Sequence, residues 1–284
     1  LYNLKTIASE VKFPATKGRI LLRMKNLPRA LGSDFLEYAN FAGRMFLFWA
    51  DAMRKAVTSH FYFHETVRQV FSIGVKSLLL TSTVALSVGM VMAMQTIGTL
   101  KAFGSVNYVA VVVGLAVTKE LGPVLTALMV AGRAGSGISA EIGSMKVTRQ
   151  IDALTISAVN PIRYLVVTRI VACMVAVPLL AVIADILGIS GGLLIGTAQG
   201  NISPYLYMSY TFNYIGYVEV FPGLIKTVFF GMIIGTVACY YGFRTTGGTE
   251  GVGNATKSSV VTASLMIMLS DVVLTRILLI IFGE

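Results

Sequence analysis

The sequence predicts an all-α integral membrane protein, with an N-terminal interfacial amphipathic helix followed by five transmembrane helices. Three observations carry this. The 284 residues are 55% hydrophobic and only 13% charged, with mean hydropathy +0.77, whereas an average soluble domain is about 25% charged. Long apolar runs recur, the first of them the 22 uncharged residues Ser77 to Gly98, and about 20 suffice to cross a bilayer. Lysine and arginine are unevenly spread: twelve of 23 precede Ser77. No stretch is left for a separate soluble catalytic domain. A basic head beside the first span marks the cytoplasmic side more simply than it marks nucleic-acid binding. Cys173 and Cys239 sit in apolar runs, as buried small hydrophobes do, rather than as a disulfide or metal pair.

Residues 1–33 are basic and broken by Pro14 and Pro28, and no fold is assigned to them. Residues 34–75 form the interfacial region. Phe41, Met45, Phe48, Trp49 and Ala52 follow helical spacing, with Arg44, Arg54, Lys55 and Arg68 between them. A basic helix with aromatics on one face lies in the membrane interface. His60 and His64 are four apart, but no third metal ligand is near, so no metal is expected. The membrane domain is 76–284. The first long apolar run begins near Leu78, too far in for a cleavable signal. Span two, from Val106 to Ile138, contains Lys119, Glu120 and Pro123, so a long helix bent near Gly122 and Pro123 is expected. Span three lies within Arg163 to Thr197 and holds Pro178 and Asp185. Ala198 to Val218 is polar and aromatic without Lys or Arg. Span four, Phe221 to Phe243, carries Lys226. Gly247 to Ser259 is read as a loop, and span five, Val260 to Phe282, carries Asp271 and Arg276.

Loop charges orient the chain. The loop after span two has Lys146, Arg149 and Arg163, and the loop after span four has Arg244 and Lys257. The loop after span three has no basic residue, and the loop after span one only Lys101. The N-terminus is therefore expected in the cytoplasm and Glu284 outside.

The stretch Glu120 to Pro161 changes character twice. Gly132, Ser136 and Ala140 recur every four residues and form a small-residue ridge beside Arg133, which lets another helix approach closely. Beyond it, Glu141, Met145 and Asp152 fall within about 40° of one another on a helical wheel, opposite Val147, Ile151 and Leu154. A membrane helix running out into a short amphipathic cytoplasmic helix, with a charged face toward a partner, is expected. These residues resemble the MlaE family, permease subunits of bacterial ABC systems that move lipids with MCE proteins. The resemblance rests on ELGP at Glu120 to Pro123, GRAGS at Gly132 to Ser136, AEIGSM at Ala140 to Met145 and QIDAL at Gln150 to Leu154, and runs from about Val67 to the C-terminus. Arg149 departs from it, standing where an acidic residue is expected.

Two enzymatic readings fail on their residues. Gly251 to Ser258 reads GVGNATKS, with Thr256 where a phosphate-binding P-loop needs its second glycine, and no strand precedes it. GTEGVGNAT instead resembles a loop of the permease family. Ser136 between Gly135 and Gly137 suggests a serine nucleophile, but both histidines lie outside the spans.

Ionisable residues inside spans are costly and are functional candidates by default. Glu120 is roughly 20 Å along a helix from Arg133, which is near the cytoplasmic end of span two. Counting in the same way, Lys119, Glu120, Lys226 and Arg276 share one outer-half level, with Asp271 below it. Charges beside apolar walls suit an amphiphile with a charged head and acyl tails. The resemblance implies the same: the acid of ELGP and the lysine opening span four match positions near the family's lipid pocket. Leu78 and Met94 bound the stretch expected to touch acyl chains. Asp185 matches no motif, and no role is assigned to it.

The resemblance implies a non-catalytic permease subunit that binds no cofactor itself, ATP being held by a partner chain. It implies a homodimer, two cytoplasmic ATPase subunits and a periplasmic MCE-domain protein leading phospholipid toward the outer membrane, whose lipid asymmetry such systems serve. A small STAS-type regulatory subunit is left open. The segment after span two becomes a coupling helix, with Glu141, Gly143, Met145, Arg149, Gln150, Asp152 and Leu154 facing the ATPase. The location implied is the bacterial inner membrane, with a periplasmic C-terminus. The alternative is an ion- or proton-coupled secondary transporter using Asp185, Asp271 and Glu120. It would need an inverted repeat of the spans, and none is visible.

Overall fold

A computed structural model describes residues 40–56 and 62–282. The chain divides into two compact units, 1–47 and 48–284. In the first, residues 40–47 are helical; residues 1–33, and with them the unassigned basic head, lie outside the described residues, as does His60. In the second, residues 48–56 are helical, and seven further helices follow with no strand among the described residues.

Five of these are long and apolar enough to span a membrane: α1, Phe63–Ala102; α2, Val106–Val147; α4, Ile162–Ala198; α6, Tyr217–Phe243; and α7, Gly248–Phe282. Two are short: α3, Gln150–Ile156, and α5, Pro204–Tyr214. The chain is a multi-pass membrane protein. Helix α4 is central and packs on α1 and α6, while α6 also packs on α2 and α7. Helices α1 and α7 leave most of their apolar surface outside the bundle.

The first and last spans begin earlier than hydropathy alone suggests. Helix α1 starts at Phe63, because no proline interrupts the basic stretch before Ser77, and Glu65 accepts a hydrogen bond from Gln69 one turn on. Residues 63–75 therefore continue the span's helix. Helix α7 starts at Gly248, not after Ser259. The turn is confined to residues 244–247, and Gly247 and Gly248, with φ angles of +87° and +69°, swing the chain into the helix. The segment GVGNATKS is thus helical, which removes both the loop and any phosphate-binding geometry. Glu250 in its first turn complements the helix dipole.

Glycines set the helix spacing. A β-carbon at Gly89 of α1 would stand 1.9 Å from the Gly188 carbonyl oxygen of α4, and one at Gly231 of α6 would stand 2.5 Å from the Cys173 carbonyl. The expected ridge is different. Nothing comes within 4 Å of a β-carbon built at Gly132. Gly132 is exposed, and Ser136 donates back to the carbonyls of Gly132 and Arg133 in its own helix.

The end of the bundle with the α1–α2 and α4–α6 connections is aromatic. Ser203 caps α5, with Pro204 in its first turn. The buried Tyr207 enters a core with Val109, Val113 and Ile97. Tyr210 and Tyr214 stack nearby with Tyr108 edge-on to both, and the hydrogen bond to Tyr108 pushes the Tyr214 phenol up from its ordinary value.

Candidate functional site

Two pieces of sequence chemistry build the central site. The first is a π-helical turn, Val117–Leu121, inside α2. Pro123 follows it and has no N–H for the Lys119 carbonyl one turn earlier. That carbonyl accepts instead from Lys226 Nζ, at 3.2 Å. The second is close contact with α6: a β-carbon at Gly223 would stand 2.2 Å from the Thr118 carbonyl oxygen. Lys226, one turn beyond Gly223, reaches the proline-freed carbonyl from there.

The Lys226 side chain is 2% exposed. Its ammonium donates to Glu120 Oε1 at 2.8 Å. Asp271 Oδ1 of α7 lies 3.2 Å away as an ion pair, out of hydrogen-bond alignment and with no other partner. Thr275 Oγ1 donates to Glu120 Oε1 at 3.2 Å. Three helices thus meet on one buried ammonium. Lys119, Glu120, Lys226 and Thr275 form the polar part of a recess of about 30 Å³ whose other walls include Pro222, Leu278, Leu279 and Phe282, with Asp271 behind it. The Glu120 side chain is 42% exposed, so the carboxylate opens outward from the cluster.

The structure therefore brings together Lys119, Glu120, Lys226 and Asp271. It does not bring Arg276, which is exposed on α7 and has no ion pair among the described residues. Thr275 is the residue sequence reading missed. Asp271 and Thr275 are four apart, hence on one helical face, and Arg276 is turned about 100° from Thr275. Leu78 and Met94 are exposed on α1 and do not line the recess.

The second site lies where α2 leaves the bundle. The helix does not run on through Asp152. It ends at Val147, and Arg149 takes a left-handed conformation at φ +59° before α3 begins. The single wheel joining Glu141, Met145 and Asp152 therefore does not exist. The two pieces are instead tied by Lys146 Nζ to Asp152 Oδ1, 3.5 Å apart. Glu141 is exposed, yet it is tied to the bundle: its Oε1 accepts from Arg169 Nη2 of α4 at 2.8 Å. Arg169 is 2% exposed. Gly143 is buried against Thr245 at the α6–α7 turn, where a β-carbon would meet Thr245 Oγ1 at 2.8 Å. Arg149, Gln150 and Asp152 are exposed, and Met145 and Leu154 half-buried. Ile156 is 88% exposed beside a groove of about 390 Å³ lined by Ile151, Thr155, Val159 and Phe243. Asn160 caps the start of α4 by accepting from the Ile162 and Arg163 amides.

Arg133 anchors α2 to α1, donating to the Ser72 carbonyl at 3.2 Å and to Ser77 Oγ at 3.3 Å. Among the described residues no group of three metal-ligating side chains occurs.

These features have relatives. The family model for the permease MlaE matches residues 66–277. A probable ABC transporter permease protein of Rickettsia typhi is 38% identical, over 89% of this chain and 98% of its own length. Another from Synechocystis is 39% identical, over 72% of this chain and 78% of its own. The intermembrane phospholipid transport system permease protein MlaE of Haemophilus influenzae is 34% identical, over 89% and 97%. The matched region takes in both the Lys226 cluster and the Arg149 elbow, and this chain belongs to the MlaE family of ABC transporter permeases.

Proposed function

We propose that this chain is the transmembrane permease subunit of an ABC system that moves phospholipid between the bacterial inner membrane and a periplasmic MCE-domain protein leading to the outer membrane. A separate cytoplasmic ATPase drives it. The observation that carries the reading is the Lys226 cluster: Lys226 and Glu120 line an apolar recess, backed by Asp271 of a third helix, with the Glu120 carboxylate facing outward. A phospholipid headgroup presents charge and hydrogen-bond donors to such a site while its chains meet the leucine and phenylalanine walls. Asp271 Oδ1 is an acceptor without an aligned donor. That oxygen is buried, so a headgroup amine or hydroxyl would meet the exposed Glu120 carboxylate instead.

The recess is far smaller than a phospholipid, which supports a homodimer in which a second copy completes the cavity. The open Gly132 ridge supports close approach of another helix. The elbow at Arg149, with α3 and its neighbouring groove, is the surface for the ATPase and belongs in the cytoplasm, while the tyrosine-rich end belongs in the periplasm.

The test is reconstitution with the ATPase in vesicles carrying labelled phospholipid. The triple variant Glu120→Gln, Lys226→Gln and Asp271→Asn leaves no stranded charge in the cluster. It is expected to insert and bind ATPase but to lose transport, and a photo-crosslinker at position 120 in the otherwise unaltered chain is expected to capture lipid. Full transport by the triple variant, with no lipid captured, would refute the assignment.

A further inference from the structure

The Lys226 cluster lies on one flank of the π-helical turn of α2. On the other flank stands Asp185 of α4, an acid with no part in the site described above. Asp185 is 7% exposed and its Oδ1 has no hydrogen-bond partner. A β-carbon built at Gly122 would stand 1.8 Å from that oxygen and 2.8 Å from the Val117 carbonyl oxygen. The carboxyl group therefore occupies the space that only a glycine leaves free, directly after the turn. Gly188, three residues further along α4, stands against Val117 at the start of the turn, 2.9 Å from a built β-carbon to Cγ1.

No cation among the described residues pairs with it. Helix α1 is uncharged from Ser77 to Gly98, and on α4 the nearest ionisable side chains are Cys173, which is buried, and Arg169, which takes Glu141. On α2, Glu120 turns to Lys226 on the opposite flank. An orphaned buried carboxyl is costly and marks a functional place in a membrane span.

We propose that Asp185 is a positioning residue: its carboxyl group, seated against Gly122, holds the Val117–Leu121 turn in the π-helical form that aims Glu120 at Lys226. A π-helical turn carries one residue more than a regular one, so relaxing it rotates one half of α2 against the other by roughly 100°. That rotation carries Glu120 away from the ammonium. The carboxyl group prevents it by filling the gap beside Gly122, into which the relaxed turn would collapse. Size and polar atoms are what this needs, not charge. The inference rests on the lipid reading for its consequence in transport but not for its geometry.

Hydrogen exchange on the full-length chain in nanodiscs reads the geometry without any lipid or ATPase. In Asp185→Ala, exchange across Val117–Leu121 is expected to rise about tenfold while α7 stays as protected as before. Asp185→Asn, which keeps the shape and loses the charge, is expected to stay within about twofold of the parent in exchange and in transport, whereas Asp185→Ala loses transport. Unchanged exchange in Asp185→Ala would overturn the proposal. So would loss of protection throughout that protein, which would make Asp185 a general folding residue. Failure of Asp185→Asn alongside Asp185→Ala would show that the charge itself acts, as in a proton or cation route, and would also overturn it. If the parent chain moved no phospholipid, the lipid reading would fall while the exchange result for Asp185 stood.

Discussion

Two buried cations hold this bundle, and they are built alike to a point. Arg169 and Lys226 are each 2% exposed, and each is met by a carboxylate of α2 that is about half exposed: Glu141 at 53%, Glu120 at 42%. Their remaining partners differ. Arg169 turns back to the Leu165 carbonyl of its own helix, at 3.0 Å. Lys226 takes a carbonyl from α2 and a second carboxylate from α7. The arginine sits near the elbow, where its carboxylate can stay hydrated. The lysine sits within the spans, where ligands must come from neighbouring helices. The difference teaches that the first pair ties two helices at an edge, while the second makes three helices depend on one ammonium.

Stranding the lysine is expected to have the largest effect. Glu120→Gln with Asp271→Asn leaves Lys226 without a counter-charge and should destabilise the fold by about 3–5 kcal/mol. Thermal unfolding in detergent measures this, and adding Lys226→Gln should recover most of the loss without recovering transport. A double variant as stable as the parent would mean that water already reaches the ammonium, and the contrast between the two cations would disappear.

Stranding the arginine is expected to cost less. Glu141→Gln removes a charge-assisted hydrogen bond, leaves Arg169 with Leu165, and should cost about 1.5–3 kcal/mol in the same assay. ATP hydrolysis by the bound ATPase should also lose its dependence on lipid, because α2 is then no longer fastened to α4 beside the elbow. A loss as large as the one at Lys226 would mean that the two cations depend equally on their carboxylates.

The smallest effect separates the elbow from the pair that anchors it. Arg149 holds φ +59°, which costs an L-residue about 1–2 kcal/mol. Arg149→Gly relieves that cost and gives part of it back in chain entropy, so a gain of a few tenths to about 1 kcal/mol is expected. A fall in unfolding temperature would mean that the exposed guanidinium makes a contact worth more than the strain.

Much of this was legible in residue order because it depends on local rules. The five spans follow from runs of apolar residues. The meeting of Glu120 with Lys226 follows from their depth, since opposite charges at one level in hydrocarbon seek each other. Asp271 and Thr275 were readable as one face at spacing four, yet depth alone also admitted Arg276, which the helix turns outward. Arg169 carried no signal at all: it lies 28 residues from Glu141 and nothing local joins them.

What the sequence by itself determined is the number of spans, the family, the level of the central charges and the departure of the chain from the bundle near Met145. These follow from hydropathy, spacing and motif, which act within a few turns of helix. Only the tertiary structure decided that the ELGP proline frees a carbonyl for Lys226, that Glu141 pairs with Arg169, that the helix breaks at Arg149, and that Asp185 fills the space beside Gly122. Each of these depends on the rotation of one helix against another. That rotation is set by where glycines allow backbones to touch, a property of pairs of helices that no single segment contains.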